Sequence, residues 1–318
     1  MKVLKLNPYF AENTGGNILK KYQYTKPMLA AAAVFIIWGF SFLFSTMGQS
    51  VASPLVLVMY RFIIASVLLS VPLIFGKKKF NLKGKNVKGL ILLCVCEPML
   101  YFIGEQYGLK YTNSSFSGIM IAISPIATLL LAAVVLKEKP TLLQWIFSVI
   151  SILGVIAITL ITSASDGAIQ PIGVFFLIVA VICAAGYSVM SRKTSDDFTV
   201  FERTLFMQYM GAAFYIIAAA VQHRGDLSAL VTPLLEVEFI IAALFLGVGA
   251  SVIGYSLFNY AVAEMPMANM TAMNNLVTVV SVAAGVLILK EPFSFKAAIA
   301  MLVVLIGIYG VQRFGRKE

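Results

Sequence analysis

The sequence predicts an all-α membrane protein of ten transmembrane helices, built as two inverted five-helix repeats. Three observations carry this prediction. The 318-residue chain is 60% hydrophobic and 12% charged, whereas charged residues make up about 25% of soluble domains. Mainly apolar runs of about 20 residues, the length that crosses a bilayer as a helix, recur from end to end. The second half of the chain also repeats the first. A soluble domain of this length could not hide so much apolar surface in one core.

The runs fall at 27–47, 53–75, 88–107, 113–136, 141–162, 171–191, 199–221, 237–262, 266–289 and 294–312. The first is no cleavable signal, because its stretch from Met28 to Met47 exceeds the roughly 7–15 residues of a signal core. Residues 1–26 are polar and are expected to form a loose cytoplasmic tail. Residues 27–162 and 171–313 are then the two five-helix repeats.

The net charge of +10 raises the question of nucleic acid, and its distribution argues against that partner. With the N-terminus inside, the N-terminal tail, even-numbered loops and C-terminal tail hold 18 Lys and Arg. The odd-numbered loops hold 4, and Arg61 and Arg203 lie within helices. This bias predicts a multi-pass protein of the cell (plasma or inner) membrane with both termini cytoplasmic. The loop GKKKFNLKGKNVK at 76–88 is expected to meet the anionic headgroups of the lipid bilayer. Cys94, Cys96 and Cys183 lie in apolar runs and read as small buried hydrophobes. Nothing in the sequence asks for a metal or another cofactor.

The repeat is direct. Residues 107–140 set on 260–293 at an offset of 153 pair Tyr107 with Tyr260 and Met120 with Met273. Leu136-Lys137-Glu138 then meets Leu289-Lys290-Glu291, and Gly154 meets Gly307. WGFSF at 38–42 matches AGYSV at 185–189 at an offset of 147. Five helices per half is an odd number, so the second half enters the membrane upside down, as in alternating-access transporters. Lys137 and Lys290 end helices, where a cation suits the dipole. Glu138 and Glu291 are expected to open the next helix, with Pro140 and Pro292 in its first turn.

Trp38-Gly39, Tyr60-Arg61-Phe62, YGLKYTNSS before the fourth helix, Ser124-Pro125 inside it, and Lys-Glu after the fourth and ninth helices follow one another in a characteristic order. In this the chain resembles the EamA-type branch of the drug/metabolite transporter superfamily over nearly all of 27–313. The resemblance implies a ten-helix carrier with a central cavity between the halves, whose members move amino acids, other metabolites or drugs, often outward. One difference stands out: the proline of the fourth helix aligns with Thr278, inside MNNLVT.

The loops are short, and the longest, about 222–236, is expected not to fold alone, so function must sit in the membrane. An intramembrane enzyme is the rival reading. There is no H-E-x-x-H and no G-x-S-x-G, and all four aspartates (166, 196, 197, 226) fall in loops. The expectation is a secondary transporter of a small polar metabolite, an amino acid or a relative, with export as the favoured direction. Sugars, nucleotide-linked metabolites or drugs are the alternative cargoes, and oligomeric state is not legible.

Candidate substrate or coupling residues follow from polarity at depth. Glu97, Tyr101 and Glu105 are spaced i, i+4, i+8, one stripe of a helix. Glu97 would lie roughly 15 Å inside the outer boundary, and Glu105 about 3 Å inside, where water could reach it. A charge at mid-bilayer costs at least about 2.5–3.5 kcal/mol, so Glu97 should face a cavity or a partner. Arg61, about 12 Å deep by the same rise, is the candidate partner. At the repeat offset Glu97, Tyr101 and Glu105 map to Ala250, Gly254 and Phe258. That asymmetry favours substrate or proton handling over architecture, and makes protons the candidate coupling ion. Asn274 and Asn275 are costly in lipid unless bonded and read as cavity lining or interhelical bonds. Trp38 reads as a cavity wall or as packing, Tyr187 with Asn259 as a gate near the inner end. Ser124 and Thr128 flank Pro125 and could re-satisfy its freed backbone. Arg203 is expected to snorkel to the cytoplasm.

Overall fold

A computed structural model describes residues 25–135, 141–166, 169–264 and 273–314. Residues 1–24 of the expected tail at 1–26 and the segment Lys137–Pro140 lie outside the described residues, while Thr25 and Lys26 already belong to the first helix. Seven helices are long and apolar enough to cross a membrane, and three shorter apolar helices complete the ten segments. We label them α1 (Thr25–Gln49), α2 (Pro54–Ile74), α3 (Val87–Lys110), α4 (Ser114–Ile121 and Ser124–Val135) and α5 (Leu142–Asp166) in the first half. The second half holds α6 (Pro171–Thr194), α7 (Val200–Gln222), α8 (Val237–Glu264), α9 (Asn275–Leu287) and α10 (Phe295–Arg313). The longest loop, about 222–236 and expected not to fold alone, carries two short helical turns, Ser228–Val231 and Thr232–Leu235.

Helix starts follow ordinary capping chemistry. Ser53, Asn86, Asn113 and Ser294 accept a backbone N–H at the first turn of α2, α3, α4 and α10, satisfying donors that have no intrahelical partner. Thr199 and Glu202 form a reciprocal capping box on α7, the arrangement that pairs two such donors at once. Along α5, Trp145, Val149, Ile152 and Ile156 are exposed while Ser148, Ser151 and Val155 are buried. An apolar outer face with small polar groups inside is the pattern of a helix bathed in lipid.

Helix packing obeys a two-fold rule. α5 packs on α10, α2 on α7, and α4 on α9. Among the remaining pairs, α1 with α9 is matched by α6 with α4, α1 with α8 by α6 with α3, and α2 with α8 by α7 with α3. Exchanging the halves returns the same pairs, so the chain is a pseudo-symmetric inverted repeat. The axis passes between α5 and α10. A Cβ on Gly154 would lie 2.9 Å from the backbone nitrogen of Val304, and one on Gly307 would lie 2.6 Å from that of Ser151. Ser151 and Val304 are themselves repeat partners, and Ser151 Oγ donates to the Val304 carbonyl at 3.3 Å. Glycine is required at both places because the helices meet backbone to backbone.

Three helices are interrupted among the described residues. α3 loses its α-helical path at Val95–Leu100 and its repeat counterpart α8 at Phe245–Gly254. α4 breaks at residues 122–123. The breaks of α3 and α4 lie beside the space between the halves, which Glu97, Ile121 and Ser124 line. Irregular backbone at membrane depth is tolerated where it faces protein or a cavity, and it often builds a binding site there.

Two local expectations need correction. Glu291 does not open α10, which starts at Phe295 behind the Ser294 cap. Lys290 instead turns the chain with φ of 58°, and the Glu291 carboxylate reaches the other half. It accepts the backbone N–H of Ser114 (2.8 Å) and Ser115 (2.9 Å) and the Ser115 hydroxyl (2.5 Å). It therefore caps α4 from across the interface, where an anion also suits the positive end of the helix dipole. Arg203 does not snorkel either: it is 1% exposed and held inward by neutral acceptors.

Candidate functional site

The interruption of α3 begins with its sequence. Pro98 offers no N–H and clashes with a preceding helical turn, and it pushes the residue before it toward extended backbone. Glu97 accordingly has φ −148° and ψ 120°. From α7 the Tyr215 hydroxyl reaches the backbone at this break, 2.6 Å from Met99 O and 3.1 Å from Pro98 O. Tyr215 is itself fixed by stacking on Phe62 of α2, 5.7 Å between ring centroids.

Leaving the helical path changes the expected stripe. Tyr101 and Glu105 remain on one helical face, with the tyrosine hydroxyl donating to Glu105 Oε1 at 2.7 Å. Glu97 instead accepts the hydroxyl of Tyr255 on α8. Glu105 is buried, 5% exposed, and its second oxygen takes the Gln106 amide at 2.9 Å. Gln106 continues to Ser45 and Gln49 of α1, which closes the space toward that end of the bundle.

These groups line one cavity between the halves. Its walls include Trp38, Arg61, Glu97, Tyr101, Glu105, Tyr187 and Asn274 of the expected residues. The volume open to the centre of a water molecule is about 80 Å³, several times the roughly 10–15 Å³ that one water needs. Asn259 stands just behind the wall. The side chain of Asn275 lies outside the described residues. Ser124, Pro125 and Thr128 also face the cavity; Thr128 Oγ1 donates to the Ser124 carbonyl at 2.8 Å, whereas the carbonyl that Pro125 frees is that of Ile121.

Arg61 is not the ion-pair partner of Glu97. No contact within 4.0 Å joins it to either carboxylate among the described residues. Its Nε donates to Ser251 Oγ of α8 at 2.7 Å, and the guanidinium stands 4.3 Å from the centroid of Phe102, a favourable seat for a cation. Among the described residues its two terminal nitrogens make no hydrogen bond, so they remain available toward the cavity.

The apolar wall is aromatic. Trp38 lies 5.1 Å from Phe258, 5.2 Å from Tyr255 and 5.9 Å from Phe35, between ring centroids. Its indole N–H donates to the Ala250 carbonyl at 3.2 Å, inside the irregular stretch of α8. Gly254 makes room, since a Cβ there would lie 2.8 Å from the indole nitrogen. Toward the other end, Tyr187 donates to Asn259 Oδ1 at 3.2 Å and Ser191 does so at 3.0 Å. The Asn259 amide donates to Thr204 Oγ1 at 3.0 Å, so this network forms the floor.

Sequence reasoning missed Tyr255, Phe258 and Phe102 as wall residues, and Ser251 as the partner of Arg61. The repeat held a usable signal for some of them: Tyr255 corresponds to Phe102 at the 153 offset, and Ser188 to Ser41 at the 147 offset. All four of those positions line the cavity.

Comparison with known proteins agrees with this architecture. Residues 25–160 and 171–313 each match the EamA-like transporter family. The "Uncharacterized transporter YcxC" of Bacillus subtilis (strain 168) is 32% identical over 292 residues, covering 91% of this chain and 94% of that one. A "Probable terminal-alkyne amino-acid exporter" of Streptantibioticus cattleyicolor is 25% identical over 229 residues, 72% of this chain and 73% of its own. One solved crystal structure superimposes with a TM-score of 0.65 at 15% identity, over 91% of this chain and 97% of that chain, and so shares the fold. The protein is a multi-pass membrane transporter and belongs to the EamA-like transporter family.

Proposed function

We propose that this transporter exports an amino acid or a close relative by alternating access, binding it in the cavity between the halves. The observation that carries the reading is the pairing of opposite charges that do not neutralise each other. Arg61 and Glu97 line one cavity, yet no ion pair joins them among the described residues. A zwitterion supplies both missing partners: its carboxylate suits the guanidinium, with the geometry and charge of a strong hydrogen bond, and its ammonium suits Glu97. The aromatic wall of Phe35, Trp38 and Phe258 receives the side chain. The amino-acid exporter among the relatives supports the same class and direction.

Alternating access assigns roles to the two ends of the cavity. The Tyr187–Asn259 network is the inner gate, and Gln49 with Gln106 closes the outer end. The 18-to-4 distribution of Lys and Arg supports a cytoplasmic position for both termini in the cell membrane. Glu97 is also the candidate for proton coupling, because it is the mid-depth acid that touches both α8 and the cavity.

The test is uptake into reconstituted vesicles with a panel of amino acids, sugars, nucleotide-linked metabolites and cationic drugs, with and without a pH gradient. Movement of amino acids that neither sugars nor drugs compete with supports the reading. Transport confined to another class assigns a different cargo, and turnover of a lipid or peptide without any transport removes the transporter mechanism.

A further inference from the structure

Beneath the inner gate lies a cation without a counterion. Arg203 is 1% exposed and sits one turn into α7, near its N-terminus. Its Nη1 donates to the Ser191 carbonyl (2.8 Å) and hydroxyl (3.0 Å), and its Nη2 to the Asn259 carbonyl (3.2 Å). These acceptors are neutral, and its Nε has no hydrogen-bond partner among the described residues. The neighbouring acid, Glu202, is already taken by Lys85 at 2.7 Å and by the capping box on α7.

Three costs therefore coincide at one residue. A buried guanidinium loses hydration that its neutral acceptors replace only in part. A cation near a helix N-terminus opposes the dipole. One turn from the membrane surface, the chain could have let the side chain snorkel, and it does not. No acid depends on this charge among the described residues.

We propose that Arg203 is a second anion subsite, which takes the substrate's carboxylate on the cytoplasmic side of the inner gate before the cavity does. The connection to the gate is direct. Tyr187 lines the cavity and bonds Asn259 Oδ1, while the carbonyl of the same Asn259 bonds Arg203. Ser191 bridges the same two residues. A carboxylate arriving at Arg203 competes for the donors that hold Ser191 and Asn259, so it loosens the floor as it binds. Arg61 then receives the carboxylate once the floor has opened. This rests on the reading of the cavity as an amino-acid site.

The experiment compares leucine with 3-methylbutylamine, the same solute without its carboxylate, in oriented proteoliposomes carrying the full chain. Parent, R203Q and R203K proteins are compared. R203Q should raise the half-saturating leucine concentration on the cytoplasmic face by about tenfold, the effect of one charge-assisted hydrogen bond, and leave the outer face within about twofold. Where the parent also moves the amine, R203Q should change its transport less than it changes that of leucine; where the parent moves leucine alone, the contrast between the two faces decides the matter. R203K, which keeps the charge but loses the planar fork, should fall between, and it decides the matter if R203Q does not insert. Equal losses for both solutes, or no loss on the cytoplasmic face, overturn the proposal. If the parent moves neither solute, the amino-acid reading fails separately. Arg203 is then judged by sodium butyrate against sodium chloride at equal ionic strength: stabilisation of purified parent but not R203Q by butyrate supports the subsite, and an equal response refutes it.

Discussion

α3 and α8 occupy corresponding places in the two halves, and both abandon regular helix at mid-depth. They do so for different reasons and with different results. In α3 the break is imposed by Pro98 and delivers a carboxylate, Glu97, to the cavity. In α8 the stretch FLGVGASVIG lets the backbone approach its neighbours, and what reaches the cavity is a carbonyl for Trp38 and two aromatic rings. Position 97 is Glu where position 250 is Ala, and position 105 is Glu where position 258 is Phe. The backbone device is shared, whereas the chemistry is confined to one copy. An inverted repeat needs symmetric motion, and it can carry an asymmetric binding site.

The comparison breaks most readily at Glu97. E97Q keeps the shape and removes the charge, and transport should fall about a hundredfold, as loss of a bond to a charged group allows. If only pH-driven transport falls while substrate exchange survives, Glu97 carries the proton; if both fall, it holds the ammonium. Parent-like transport in E97Q would leave Glu97 as a structural group.

Moving the acid across the pseudo-axis is the next test. Ala250 is fully buried, so A250E should destabilise the protein by about 3 kcal/mol in a thermal unfolding assay. It should not rescue E97Q. A rescue would show that the two interrupted helices are interchangeable.

Trp38 sharpens the aromatic side of the comparison. W38A removes three ring contacts and the bond to Ala250, and should weaken apparent affinity about tenfold while the protein still elutes as a single species. Y255F is the mildest change, because it removes only the hydroxyl bonded to Glu97. About a threefold loss is expected, with a shifted pH profile as the sign that it acts through Glu97.

Much of this molecule is written locally. Ten apolar segments are legible because each must satisfy its own backbone in lipid. The repeat is legible because two stretches at one offset share helix spacing. Glu97 stands out because a carboxylate beside a proline in an apolar run is costly unless used. What could not be read depends on partners far apart in sequence. The Tyr255–Glu97 bond spans 158 positions and the Glu291 cap spans 177. Glu291 was expected to start its own helix because Lys-Glu-Pro fits a helix boundary, yet the positive φ at Lys290 sends it to α4. Arg203 is expected at the surface because arginine side chains are long, and it is acceptors far along the chain, Ser191 on α6 and Asn259 on α8, that hold it in. Glu105 looked wet from its depth alone, since neither the Tyr101 bond nor the Gln106 bond can be inferred from a distance to the membrane surface.

The close approach of α5 and α10 at Gly154 and Gly307 has a consequence for how such a chain can arise. Along α5 and α10 each half presents the same stretch of surface to the other, which is the form of an isologous dimer contact. A single five-helix unit inserted twice, once in each orientation, would already own the surface needed to pair with itself. Joining the copies in one chain fixes their ratio at one to one and ties the orientation of the second to that of the first. Drift is then unequal across the molecule. A change at Gly154 or Gly307 is felt at once by the other copy, so the axis holds the halves to a common shape. The cavity is released from that restraint, and there one copy could keep acids while the other took up rings.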